Sequence, residues 1–228
     1  MTKSILSLEG ALFALLYSTM LLLVGRITVT RTIRFAAALI AGVLLPSFAS
    51  ADILSIEEAM QDRVIGNAEA PITIIEYASL TCPHCATFHA ETLPQIKKEW
   101  IETGKAKLIY RDFPLDKYAA SAAMIARCAP EDKYFIFLNA FYAQQKNWSR
   151  ADDPVRVLTQ LAGLGGMSKD DVDACLANEE LQDAILQMRL DGQMEHGINS
   201  TPSFVINGKM INNLPYEDFK DILEDAAK

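Results

Sequence analysis

Basic residues, histidine and repetition are all scarce in this sequence, and each shortage excludes something. Of 21 Lys and Arg, four (Lys3, Arg26, Arg31, Arg34) lie in the first 51 positions, against one of 29 Asp and Glu (Glu9). Residues 52–228 therefore hold 17 basic and 28 acidic side chains, a net of −11. A surface that acidic repels phosphate backbones, so nucleic acid is not an expected partner. There are three histidines and one Cys-x-x-Cys, with only His84 and His89 near it. A structural zinc site wants four ligands, so no metal is expected. No internal repeat or low-complexity stretch appears, which leaves no basis for a repeat array. A chain of 228 residues is enough for one sizeable domain and short for two.

Long apolar runs are confined to the start. Residues 5–24 form one, broken by Glu9, Gly10 and a few hydroxyl residues; residues 35–45 form a second, after Arg26, Arg31 and Arg34. The second has the pattern of a secretory signal: a basic stretch, a short apolar core, then Pro46 and the small-residue series Ser47-Phe48-Ala49-Ser50-Ala51. Cleavage is expected before Asp52. The core is too short to span a bilayer, which takes about 20 residues; left uncleaved, it would act as a membrane anchor. The first run has transmembrane length, or lies upstream of a true start at Met20, and the shorter start is the preferred reading. Residues 1–51 are thus expected to be a leader, and the rest an exported, periplasmic protein. All four cysteines fall in that part, and an even count in an oxidising compartment suggests two disulfides.

The exported part begins with an arm carrying a short helix at 56–63. Ile72-Thr73-Ile74-Ile75-Glu76-Tyr77 is β-branched and almost continuously apolar, the pattern of a central strand covered on both faces. After the loop 78–81 a helix opens at Cys82, with Pro83 in its first turn where a missing N–H costs nothing. It is expected to run to Thr103, kinked at Pro94 and ended by Gly104. Residues 106–111 form the next strand. Residues 116–197 read as helices throughout, at 118–128, 134–146, 154–164, 169–176 and 179–195. The end returns to β: 202–206 and 209–211 flank Asn207-Gly208, the preferred two-residue hairpin turn, and a helix at 215–226 closes the chain. The predicted fold is α/β: βαβ in 52–115, an all-helical insertion in 116–197, and ββα in 198–228.

The chemistry points to Cys82-Pro83-His84-Cys85. At a helix start the two sulfurs differ. Cys82 faces free N–H groups and the positive end of the helix dipole, whereas Cys85 lies one turn in. An ordinary thiol has a pKa near 8.5, and helix N-terminal cysteines fall to about 3.5–7.5. Stabilising the thiolate stabilises the reduced protein and makes the disulfide a stronger oxidant. His84 can add a donor or positive charge, so an oxidant rather than a reductant is predicted. Glu76, six residues before Cys82, sits on the strand beneath the helix start. It is expected to exchange a proton with Cys85, the alternative being a strand-end residue that reaches solvent. His89 and His196 are expected to be ordinary surface or packing residues, and Trp148 and Tyr142 are candidates to line a substrate groove.

These residues resemble DsbA-like periplasmic thiol:disulfide oxidoreductases of the thioredoxin superfamily. The resemblance covers nearly all of 52–228. It rests on Cys82-Pro83-His84-Cys85 followed by Phe88, on the helical insertion, and on Thr201-Pro202 before the hairpin. It implies a thioredoxin fold and a cis Thr201-Pro202 peptide against the active disulfide, whose backbone pairs with extended substrate. It implies that Glu76 is the family's buried acid, that Cys82 exchanges with substrate and that Cys85 resolves the mixed disulfide. It further implies no cofactor beyond the cysteine pair, reduced exported polypeptides as substrates, and a membrane quinone-linked partner that reoxidises the pair. Cys128 and Cys175, 47 positions apart, are a departure from the simplest members; they are read as a structural disulfide, with a second redox pair as the rival. Thr in place of Val before the proline leaves oxidase against isomerase open. An isomerase usually needs a dimer, and no separate dimerisation region is seen, so a monomer is expected. A peptide-binding chaperone module is the remaining alternative, one that would tolerate Cys82→Ser.

Overall fold

The computed structural model describes residues 54–228. The leader, its cleavage before Asp52 and the start at Met20 lie outside the described residues. Among those described, no helix is long and apolar enough to cross a membrane.

A five-stranded sheet forms the frame, in the order β1-β3-β2-β4-β5, with β1 Arg63–Ile65, β2 Ile72–Ala78, β3 Ala106–Asp112, β4 Ser203–Ile206 and β5 Lys209–Asn212. β2 and β3 run parallel, joined by the long helix at 83–101; β2 and β4 run antiparallel, with Glu76 opposite Phe204 on one side and Tyr110 on the other. Strand alternation gives β2 two apolar faces. Ile72, Ile74 and Ala78 join the main core, while Tyr77 joins Phe113, Ile198 and Val205 on the opposite side. Glu76 shares the first face, so a carboxylate is set into the floor beneath the helix. Phe88, Phe204 and Phe219 fill that floor beside it, with ring centroids 4.7 and 5.0 Å apart in succession. Burying each such ring is worth roughly 1.5–3 kcal/mol. Asn207 and Gly208, at φ +45° and +85°, make the β4–β5 turn that an Asn-Gly pair favours.

The arm departs from expectation. Its helix α1 is only Ile56–Ala59, held by a capping box between Ser55 and Glu58, and the next element is β1, an extra strand antiparallel to β3. Three residues led by an arginine carry no alternation to read. Arg63 is nonetheless buried: its guanidinium donates to the Glu58 and Ala59 carbonyls and lies over the Tyr134 ring at 5.2 Å.

The helix at 83–101, α2, also departs from expectation. Cys82 is its N-cap, and the helix proper starts at Pro83. In place of a single kink there are two π-helical turns, Phe88–Thr92 and Lys97–Ile101, around Leu93–Ile96. Pro94 has no N–H and crowds the carbonyl a turn before it, and a wider turn accommodates both defects. Gly104 follows at φ +74°.

The helical insertion comprises α3 Lys117–Cys128, α4 Tyr134–Ala143, α5 Gln145–Trp148, α6 Pro154–Leu164, α7 Lys169–Leu176 and α8 Glu179–His196, and α9 Tyr216–Ala226 ends the chain. The chain signals its starts well: Asp116, Asp153, Ser168 and Asn178 all cap through their side chains. The expected helix 134–146 is broken at Gln144, which turns Gln145 inward. Cys128 and Cys175 are disulfide-bonded and buried, joining the ends of α3 and α7. Arg127 binds Asp112 at 2.5 Å and the Ala59 carbonyl at 2.8 Å, tying α3 to β3 and to the arm. Gly192 lets α8 lie against the sheet, since a Cβ there would meet the Tyr77 ring at 2.6 Å.

Candidate active site

Cys82 and Cys85 are both buried free thiols where β2 hands over to the long helix. The loop that presents them is fixed from three sides. The Cys82 N–H donates to the Ser79 carbonyl at 3.1 Å, and the Thr81 hydroxyl donates to Asp116 at 2.6 Å. From the insertion, the buried Gln145 amide donates to the Leu80 carbonyl at 2.8 Å and to the Cys82 carbonyl at 2.9 Å. Pro83 and His84 are exposed at the helix tip. The Thr201-Pro202 peptide is cis, and the Cys82 thiol lies 3.2 Å from the Thr201 carbonyl oxygen, to which it donates.

The two sulfurs titrate in opposite directions. Cys82 is lowered to about 5, first by the hydrogen bond from the Cys85 thiol, with further help from Thr201 and from the backbone N–H groups of His84 and Cys85, against the cost of burial. The Thr201 hydroxyl is buried and has no hydrogen-bond partner. The Thr201 carbonyl can pair only with the protonated thiol, so the N–H and S–H donors outweigh it. Cys85 is raised, foremost by burial, then by its hydrogen bond to Cys82 and by the negative charges of Cys82 and Glu76. A sulfur that stays thiolate beside one that keeps its proton is arranged for dithiol–disulfide exchange.

Glu76 is wholly buried, so the strand-end reading in which it reaches solvent is wrong: the central position of β2, flanked by β3 and β4, closes both edges. Its Oε1 is 2.9 Å from His89 Nε2. The His89 side chain is buried too and stacks on Tyr142 at 4.2 Å. His89, expected to be a surface or packing residue, is thus packed beside Glu76; it lies four positions after Cys85, the spacing that puts two residues on one helical face. Gln145 was missed, and no local signal marks it. Trp148 does not line a groove: it is fully buried, its indole N–H donating to the Phe141 carbonyl at 2.7 Å. Tyr142 does line a cleft, together with Thr81, Pro83 and His89. His196 ends α8, its ring 6.0 Å from that of Tyr77. Among the described residues, no group of three or more His, Cys, Asp or Glu is placed to hold a metal ion.

Sheet, cis proline and cysteine pair at the helix start together define a thioredoxin-class protein, and the thioredoxin family profile matches residues 58–225; the chain belongs to that family. Within it the chain is DsbA-like. It superimposes on Wolbachia pipientis alpha-DsbA1 with a TM-score of 0.68 at 30% identity, covering 74% of this chain and 92% of that one. It is 31% identical over 168 residues to a Rickettsia typhi protein named "putative protein-disulfide oxidoreductase", a match covering 73% of this chain and 62% of that protein, less than two thirds of its length. Bacillus subtilis BdbD shares the fold, with a TM-score of 0.66 at 22% identity over 76% of this chain and 95% of that one.

Proposed function

We propose that the protein is a thiol:disulfide oxidoreductase that introduces disulfide bonds into exported polypeptides. The observation that carries the reading is the placement of two buried free thiols at the start of the long helix, with Cys82 as its N-cap against the cis Thr201-Pro202 peptide; these surroundings favour thiolate at Cys82 and thiol at Cys85. In the oxidised protein a substrate thiolate attacks Cys82. The Cys82–substrate bond forms, the Cys82–Cys85 bond breaks, and the electron pair leaves on Cys85, which takes up a proton. A second substrate thiolate then attacks the substrate sulfur of the mixed disulfide and expels Cys82. With a pKa of about 5, Cys82 departs as a stable thiolate. The substrate has lost two electrons and gained a disulfide; the protein holds one thiolate and one thiol.

Glu76 is the group that exchanges the proton with Cys85. Its burial supports this, because an ionisable group set into an apolar strand is costly without a task. Pro83 and His84 shape and polarise the exposed tip, and Thr201 with Pro202 offers backbone to an extended substrate. The second disulfide, Cys128–Cys175, is structural. No cofactor beyond the cysteine pair is required. The protein acts as a monomer in the periplasm, exported by residues 1–51, and a membrane quinone-linked partner takes the electrons from the reduced pair.

The test is oxidation of a dithiol peptide by stoichiometric oxidised protein. Full conversion is expected with the unaltered chain and with Cys128→Ser/Cys175→Ser, and a loss of at least about a thousandfold with Cys82→Ser. Retained peptide binding with no oxidation would overturn the reading in favour of a chaperone module. Reshuffling of a scrambled substrate faster than oxidation of a reduced one would replace oxidase with isomerase.

A further inference from the structure

We propose that His89 is the proton outlet of the active site, linking Glu76 to the solvent of a cleft on the far side of the ring. The proposal rests on the thiol-exchange reading above and extends it. Cys85 has no exposed surface, so a proton it gains or loses cannot pass directly to bulk water. Glu76 has none either, and among the described residues its only side-chain hydrogen-bond partner is His89, through Nε2.

Two buried atoms stand at the ends of this hydrogen bond without partners: Glu76 Oε2 and His89 Nδ1. Buried polar atoms are almost always satisfied, so a pair of exceptions flanking one contact asks for an explanation. A relay supplies it, because each atom must be free to receive or release a proton. The π-helical turn that Pro94 imposes includes His89.

The ring borders a cleft of about 820 Å³ between the long helix and the insertion. Its lining includes His89, Asn139, Tyr142, Gln144, Lys146 and Arg150, and its polar walls can hold water. The titratable and charged groups around His89 come from every side: Glu76 on β2, Tyr110 on β3, Tyr142 on α4, Cys85 and Glu91 on its own helix, and Lys146 and Arg150 on the opposite wall. The Tyr110 and Tyr142 hydroxyls bond each other at 2.8 Å, and burial pushes both phenols up. Both therefore stay neutral, which leaves the imidazole as the exchangeable group on this path.

During reoxidation the Cys85 thiol gives its proton to Glu76, and its sulfur attacks Cys82 in the mixed disulfide with the oxidant. The Cys82–Cys85 bond forms, the Cys82–oxidant bond breaks, and the electron pair leaves on the oxidant's sulfur. Glu76 passes the proton to Nε2; Nδ1 is buried at rest in the wall of the cleft and releases one when cleft water reaches it. During substrate oxidation the same path runs inward, so the imidazole is reset once per cycle.

The test uses the full chain with a glutathione adduct on Cys82, following glutathione release as the ring closes. Closure in His89→Gln, which keeps a donor to Glu76 but cannot titrate, should slow at least tenfold at pH 7 and lose the pH dependence of the unaltered protein. In His89→Ala, added imidazole should enter the cleft and restore the rate in proportion to its concentration. The titration of Cys82 should be unchanged in both. Closure by both variants at the unaltered rate and pH profile would overturn the proposal. So would a slow His89→Ala that imidazole does not restore, since that pattern fits packing alone. An unaltered protein that forms no glutathione adduct on Cys82 would instead bring down the thiol-exchange reading.

Discussion

The protein carries two cysteine pairs made of the same atoms, and their surroundings give them different chemistry. Cys128 and Cys175 are bonded to each other and close the ends of two helices inside the insertion's core. Cys82 and Cys85 are also buried, yet one lies at a helix N-terminus facing donors and the other over a carboxylate. Burial alone thus does not make a cysteine inert. What makes it reactive is a difference between partners, and the helix start supplies that difference.

Three measurements would break or sharpen the contrast. The largest effect concerns the pair proposed as structural. Cys128→Ser/Cys175→Ser should lower unfolding stability by about 4 kcal/mol for a closed loop of 47 residues, measured by denaturant unfolding with Cys82 and Cys85 kept reduced. It should leave the Cys82 titration in place; a shifted titration would mean that the pairs are coupled.

The next effect is on the redox couple. Cys82 has its folded pKa lowered to about 5, so its thiolate stabilises the reduced folded state fully above the ordinary thiol pKa, and that gain is lost as pH falls through 5. At pH 7 the two units between 5 and 7 amount to roughly 2.7 kcal/mol, or about 60 mV towards the oxidising side. Reduction then takes up one proton for two electrons between pH 5 and the ordinary thiol pKa, and two below 5. The potential should therefore fall with rising pH by about 30 mV per unit above 5 and about 59 mV per unit below it. Equilibration with glutathione across pH checks both slopes; a uniform 59 mV slope would make Cys82 an ordinary thiol.

The smallest effect concerns the clamp on the catalytic loop. Gln145→Leu leaves the Leu80 carbonyl without its side-chain donor and the Cys82 carbonyl with one donor fewer, at a cost of about 1–2 kcal/mol by thermal or denaturant unfolding. The same substitution at Gln144, outside the clamp, should cost less.

Local pattern carried much of this. The β-branched run at 72–77, the Asn207-Gly208 turn, the helix caps and the placement of Cys82 ahead of Pro83 are all written in neighbouring residues. What escaped depends on residues far apart. β1 became a strand only because β3 offered an edge and Tyr134 a seat for Arg63. The π-turns express a conflict between Pro94 and its own helix that sequence marks as a kink without giving its form. His89 looked like packing because its partner lies on another element, and Gln145 reaches across 63 and 65 positions to the carbonyls it binds. The site's reactive atoms were legible; their supports were not, since support is a matter of tertiary distance.

The amide of Gln145 has a consequence for timing. A chain made from its N-terminus exposes Cys-Pro-His-Cys long before residue 145 exists, and longer still before Thr201 can stand 119 positions away beside the first sulfur. The Thr201 contribution to the low pKa of that sulfur, and the amide that pins its loop, can therefore arrive only once the later chain has folded back onto the motif.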